Sequence, residues 1–219
     1  YAYSNFGYRL LGRIIERLSG QSYEKYVQDH VLAPLGIRNM RLGAPRLSGQ
    51  VEGEVRYYHP DGSKSVFQSD LGQEVSSPYG GWNLEAMDSH GGWIASAIDL
   101  ARFASAFDDP DHCPILSPES VRLMYERPDG PTRTDDATYY YSLGWSNREV
   151  SGGKQNHWHG GSLPGTATIM IRRHDGRNFV ALLNARSSPS GESVSRGIDQ
   201  LLHRAANQVK QWPESDLFA

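Results

Sequence analysis

Cysteine is almost missing from this sequence. Cys113 is the only one, so no internal disulfide can staple the fold, and beside Pro114 in a loop-like stretch it reads as an inert thiol rather than a nucleophile. A surplus of one charge is missing too. The 22 Lys and Arg stand against 25 Asp and Glu, a formal net charge of −3, with no long like-charge run. That balance offers nothing to attract a nucleic acid or an anionic membrane. No apolar run approaches the roughly 20 residues that a membrane-spanning helix needs. There is no internal repeat and no sign of a bound cofactor, and the compartment is left open. An initiator methionine and a leader are absent as well. The chain opens Tyr1-Ala2-Tyr3-Ser4-Asn5, so we expect an N-terminal portion to precede it.

What is present is enough for one domain. At 219 residues the chain can bury a substantial core. Leu10, Leu11, Ile14, Ile15 and Leu18 recur at helical spacing and predict a helix over 6–19 that ends at Ser19-Gly20. A second helix is expected over 22–32, closed by Pro34-Leu35-Gly36. From Gly43 to His90 the chain is rich in Gly, Ser, Pro, Asp and Tyr. Only short strands, 51–58 and 64–68 around the Asp61-Gly62 turn, are expected in that excursion, whose length suggests a functional loop. Further helices fit 96–107 and 117–125, the latter opened by Ser117 as cap and Pro118 at the first helical position.

The last third reads differently. An aromatic-rich run from Tyr139 to Trp145 leads to His157-Trp158-His159-Gly160-Gly161-Ser162-Leu163-Pro164-Gly165. Two β-rich segments follow, 166–173 and 178–184, joined by a turn containing Asp175-Gly176. His159 therefore stands at a strand end, and the two glycines after it allow another chain to approach the backbone closely. An amphipathic helix over 191–209 closes the chain. Helices, a long loop, helices, antiparallel strands and a helix make an α+β pattern rather than alternating βαβ. The helical lobe and loops are expected over 1–138, and the β-hairpins with the final helix over 139–219.

Five of these stretches, in this order, resemble the serine β-lactamase-like superfamily. They are Tyr3-Ser4-Asn5 entering a helix, Leu32 to Ile37, Gly91 to Phe103, Leu143-Gly144-Trp145, and His159 to Gly165. Within the superfamily the sequence is most similar to the group of class C β-lactamases, D-alanyl-D-alanine carboxypeptidases and related esterases and D-aminopeptidases. His159 follows Tyr3 by 156 positions (159 − 3), the order of separation that the family shows. The resemblance implies an antiparallel sheet flanked by helices, with the N-terminal part of the fold lying outside this chain.

It also implies acyl transfer, in which a Ser-x-x-Lys serine attacks a carbonyl while its lysine and a Tyr-x-Asn tyrosine move the proton. Carried over, Tyr3 is the proton-transferring tyrosine and Asn5 the amide that contacts substrate. His159 replaces the strand-motif lysine, Gly160 and Gly161 let substrate approach, and the Ser162 N–H is an oxyanion donor. Such a site needs no metal or cofactor. It takes a small ester, amide or D-residue peptide, because histidine instead of lysine at position 159 is commoner among the family's peptidases, amidases and esterases than among its true β-lactamases. A true β-lactamase and a catalytically silent binding protein on the same fold remain alternatives. Beyond substrate, the partners implied are the N-terminal portion or a second copy.

Ser-x-x-Lys itself should lie before Tyr3. Ser22-Tyr23-Glu24-Lys25 matches it literally but follows Tyr3, and Ser22 after Gly20 reads better as a helix cap. Ser151-Gly152-Gly153-Lys154 reads as a turn. His157 and His159 share a strand face, but no third ligand with metal spacing accompanies them. His90-Gly91-Gly92 mimics the strand motif, yet it precedes a helix, which gives its glycines a structural reading.

Overall fold

The computed structural model describes residues 1–130 and 138–215. Helix α1 (Asn5–Ser19) begins where the Ser4 hydroxyl accepts the Gly7 N–H at 2.9 Å. It stops at Gly20, whose φ of 71° is cheap only for glycine. Helix α2 (Tyr23–Val27) is capped by Ser22 and runs on through a wider turn over Gln28–Leu32 and a tight one over Ala33–Leu35. The excursion that follows holds β1 (Arg41–Leu42), β2 (Gly62–Lys64), β3 (Glu74–Ser76) and the single-turn helix α3 (Asp88–Gly91). β4 (Trp93–Ile94) pairs with β1, and β2 pairs with β3. Helices α4 (Ala97–Ser105) and α5 (Pro118–Tyr125) start on the caps Ser96 and Ser117.

The main sheet has five antiparallel strands in sequence order: β5 (Tyr139–Tyr141), β6 (Ser146–Val150), β7 (Lys154–Leu163), β8 (Thr166–Arg172) and β9 (Asn178–Leu183). Helix α6 (Val194–Gln208) packs on β8 and β9, with the Phe179 and His203 rings 5.7 Å apart. The other face meets α4 and α5 through Phe107, Val121 and Trp145, all buried, with Met170 against them. Val121 is fully enclosed. A second cluster of Leu32, Ile37 and Met40 packs on Trp93, Leu100 and Phe103. The result is a sheet between helical layers, the α+β architecture that the pattern of elements predicts.

Two expectations change. Residues 51–58 form no strand, and of the strand expected over 64–68 only Lys64 belongs to one; the hairpin of the excursion is β2–β3 instead. Side chains and a distant carbonyl satisfy that segment's backbone in place of a ladder. Tyr57 N–H donates to the Tyr79 hydroxyl at 2.8 Å, Tyr58 N–H to Asn184 O at 3.3 Å, and the Asn184 amide to Arg56 O at 3.0 Å. Second, the polar strand β6 is an addition, held on both sides by β5 and β7.

One apolar surface stays open. On α1, Phe6, Leu10, Leu11, Ile14 and Leu18 are exposed, Leu18 at 82%. Among the described residues β9 pairs only with β8, so its outer edge has no partner.

Candidate active site

The strand end at His159 is where separate parts of the chain converge. β7 and β8 run in register from His157 opposite Arg172 to Leu163 opposite Thr166, which sets His159 beside Met170 and Gly161 beside Thr168. Gly161 is required there, since a Cβ would lie 2.5 Å from the Thr168 hydroxyl oxygen. Ser162 faces Ala167 in the register and is exposed. Pro164 and Gly165 close the turn, with Gly165 at φ 88°.

Tyr141 is the hub. It ends β5, and its hydroxyl lies 3.0 Å from His159 Nε2. The Tyr3 ring meets the Tyr141 ring edge-on at 5.9 Å, and Tyr1 does the same at 6.0 Å. The Tyr8 hydroxyl, one turn into α1, hydrogen-bonds that of Tyr141. Tyr3 and His159 thus share one neighbour. Asn5 opens α1 two residues after Tyr3 and is exposed.

The electrostatics follow from burial. Loss of water holds the His159 imidazole below its usual value, opposed in part by a hydrogen bond to the Gly160 backbone. Burial, reinforced by the neighbouring tyrosines, pushes the Tyr141 phenol up. Both shifts favour the uncharged forms of the pair. Histidine's usual titration near neutrality predicts a partly charged strand end, and the half-buried position of His159 shifts that balance towards the neutral ring.

His157 points into different surroundings. Asn147 is fully buried and gives both amide hydrogens away, to Ser142 Oγ at 2.8 Å and Trp145 O at 3.0 Å. Its oxygen accepts from His157 Nδ1 at 2.7 Å, and the His157 ring lies 3.9 Å from Tyr125. Burial first, and then Arg172, lower the His157 pKa to about 4. His157 is a core group. Among the described residues no three His, Cys, Asp or Glu side chains gather as a metal site.

The literal Ser-x-x-Lys matches are occupied elsewhere. Ser22 Oγ caps α2 by accepting the Lys25 N–H at 3.3 Å, and Lys25 Nζ pairs with Asp29 at 2.5 Å. Ser151 to Gly153 form the β6–β7 turn, with both glycines at positive φ. The glycines after His90 serve the fold: Gly92 O accepts from Gly43 N at 2.8 Å, and a Cβ on Gly92 would sit 2.8 Å from Leu84 O. Sequence reading missed Tyr141, although it stands two residues before the Leu143-Gly144-Trp145 stretch that carries part of the resemblance.

An antiparallel five-stranded sheet flanked by helices is the architecture of the serine β-lactamase-like class. The chain belongs to the Beta-lactamase family, whose family model matches residues 1–203. It is 28% identical to penicillin-binding protein 4* of Bacillus subtilis (strain 168) over 219 residues, covering 97% of this chain and 46% of that protein. It is 29% identical to penicillin-binding protein 4 of Amycolatopsis lactamdurans over 154 residues, covering 67% of this chain and 36% of that one. The chain thus spans less than half the length of these curated relatives. Its fold is shared with the D-amino acid amidase of Ochrobactrum anthropi SV3 complexed with D-phenylalanine, at a TM-score of 0.68 and 22% identity, over 95% of this chain and 59% of that one. The octameric penicillin-binding protein homologue from Pyrococcus abyssi is similar at a TM-score of 0.62 and 24% identity, over 93% and 43%.

Proposed function

We propose that this chain supplies the tyrosine–asparagine and strand-end parts of a serine hydrolase that acts by acyl-enzyme transfer on small esters, amides or D-residue peptides. The nucleophilic Ser-x-x-Lys belongs to a portion of the protein outside this chain. The observation that carries the reading is the shared contact of Tyr3 and His159 with Tyr141, which joins a helix start to a strand end 156 residues later (159 − 3).

In this reading a substrate carbonyl lies along β7, with its oxygen directed at the Ser162 N–H. Tyr3 accepts the serine proton as the carbonyl is attacked and returns it to the leaving group. Asn5 donates its amide to the acyl side. Gly160 and Gly161 leave room for substrate against the strand. The occupied roles of Ser22 and Lys25 support a nucleophile from elsewhere.

In the full-length protein, Tyr3→Phe should lower kcat by about 10²- to 10⁴-fold, the usual range for losing a general acid–base group. A fluorophosphonate probe should label a serine outside residues 1–219. Unchanged turnover in Tyr3→Phe, or an adduct on Ser22, would sink the assignment.

A further inference from the structure

Tyr3 stands before the helix that follows it, so α1 does not fix its side chain. The helix begins at Asn5, and its capping bond runs from the Gly7 N–H to Ser4. Among the described residues the Tyr3 hydroxyl has no hydrogen-bond partner, and the residue is 54% exposed. An open hydroxyl suits a group that must meet a serine proton, but it leaves that end of the ring without a tether. The aromatic partner of Tyr3 is Tyr141, met edge-on at 5.9 Å and 75°. Tyr1, two residues earlier, meets the same ring at 6.0 Å and 74°.

Tyr141 itself is firmly held. It ends β5 opposite Ser146, and the next residue is tied twice. Ser142 N–H donates to Trp145 O at 2.8 Å, and Ser142 Oγ accepts from Asn147 Nδ2 at 2.8 Å. Trp145 and Asn147 are both buried, so the path from the core to the Tyr141 ring is short. We propose that Tyr141 is a positioning residue for proton transfer: its ring, rather than its hydroxyl, fixes where Tyr3 stands relative to the His159 strand end. The placement of Tyr3 follows from the contacts alone; the effect on turnover rests on the hydrolase reading above. The two parts of the Tyr141 side chain have separate neighbours. The hydroxyl bonds Tyr8 and lies 3.0 Å from His159 Nε2, whereas the ring meets Tyr1 and Tyr3. A variant can therefore remove one set of contacts and keep the other.

The test uses the full-length protein labelled with ¹³C-tyrosine and ¹⁵N-histidine, as wild type, Tyr141→Phe and Tyr141→Ala. The His159 signals should move in both variants, because both lose the hydroxyl. The Tyr3 ring signals should move to solvent-exposed positions in Tyr141→Ala alone. On D-alanine p-nitroanilide, Tyr141→Ala should lower kcat by about 10²-fold, the usual cost of a misplaced reacting group, and Tyr141→Phe should lower it far less. Adding Tyr141→Ala to Tyr3→Phe should cost almost nothing more, because the ring acts through the Tyr3 hydroxyl. Tyr141→Leu, which keeps bulk at the position, repeats the comparison if Tyr141→Ala does not fold. Absence of nuclear Overhauser contacts between the Tyr3 and Tyr141 rings in the wild type overturns the placement without any variant, as do unmoved Tyr3 signals in folded Tyr141→Ala. Equal kcat losses in the Phe and Ala variants, or additive losses in the double variant, overturn the role in proton transfer. Displaced Tyr3 signals with no turnover by the wild type, or with no cost from Tyr3→Phe, support the placement and count against the hydrolase reading alone.

Discussion

Acid should unfold this protein partly through one side chain, His157. In the folded state its pKa is about 4 against an ordinary 6.5, because its ring is wedged between Tyr125 and the amide of Asn147 with Arg172 opposite. The folded pKa is depressed, so between these values the unfolded chain binds the proton more readily. Stability is therefore full above pH 6.5, falls as pH drops towards 4, and loses nothing more from this group below that. A drop of about 2.5 pH units at ~1.36 kcal/mol each sets a ceiling of about 3.4 kcal/mol. The ring is only partly enclosed, and solvent screening reduces that to about 2 kcal/mol.

The clean perturbation is His157→Asn, which keeps an N–H for the Asn147 oxygen but cannot titrate. Urea unfolding followed by tryptophan fluorescence at several pH values reports both proteins, since Trp145 lies in the adjoining core. The stability difference between wild type and variant should be largest at pH 7 and shrink by about 2 kcal/mol by pH 4. Other groups, such as Asp70 paired with Arg46, act equally in both and cancel. Parallel stability curves from pH 7 to pH 4 would refute the account of His157.

Two further outcomes follow from packing. Val121→Ala removes two methyl groups from a fully buried position between Phe107 and Trp145 and should cost about 2 kcal/mol in urea unfolding, with no change in the His159 signals. Residues 1–219 expressed alone should associate or melt at low temperature, because the Phe6, Leu10, Leu11, Ile14 and Leu18 surface and the outer edge of β9 lie open; a stable monomer at low micromolar concentration in light scattering would show that the chain closes its own core.

The elements that carried a strong local signal were legible in the sequence. α1 announces itself by periodicity, α5 by Ser117 and Pro118, and the β8–β9 hairpin by its Asp-Gly turn. β6 was not legible, because Ser146-Asn147-Arg148-Glu149-Val150 carries no apolar alternation and is a strand only because β5 and β7 flank it. The 51–58 segment misleads for the opposite reason. Its Val and Tyr content suits a strand, but tertiary hydrogen bonds to Tyr79 and Asn184 claim its backbone. At the candidate site, Tyr3 and His159 stand out in the sequence as a spaced pair, and both meet Tyr141 in the fold. Tyr141 itself was not legible, since its importance comes from a hydrogen bond spanning 18 positions and from no local pattern.

Gly165 has a wider consequence than turning the chain. At φ 88° it sits under the long excursion, and a Cβ there would lie 2.6 Å from Pro78 Cγ and 3.0 Å from Tyr57 Cβ. The Asn184 amide and carbonyl, just past the end of β9, hold the same excursion through Arg56 O and Tyr58 N–H. The turn three residues past Ser162 and the loop above it are therefore mechanically one part. In a lineage that reshapes this loop for a new substrate, residues 56–58, Pro78, Gly165 and Asn184 are constrained to change together. At Gly53 and Gly72 an added side chain would meet nothing within 4 Å, yet φ of 82° and 78° still favours glycine at both.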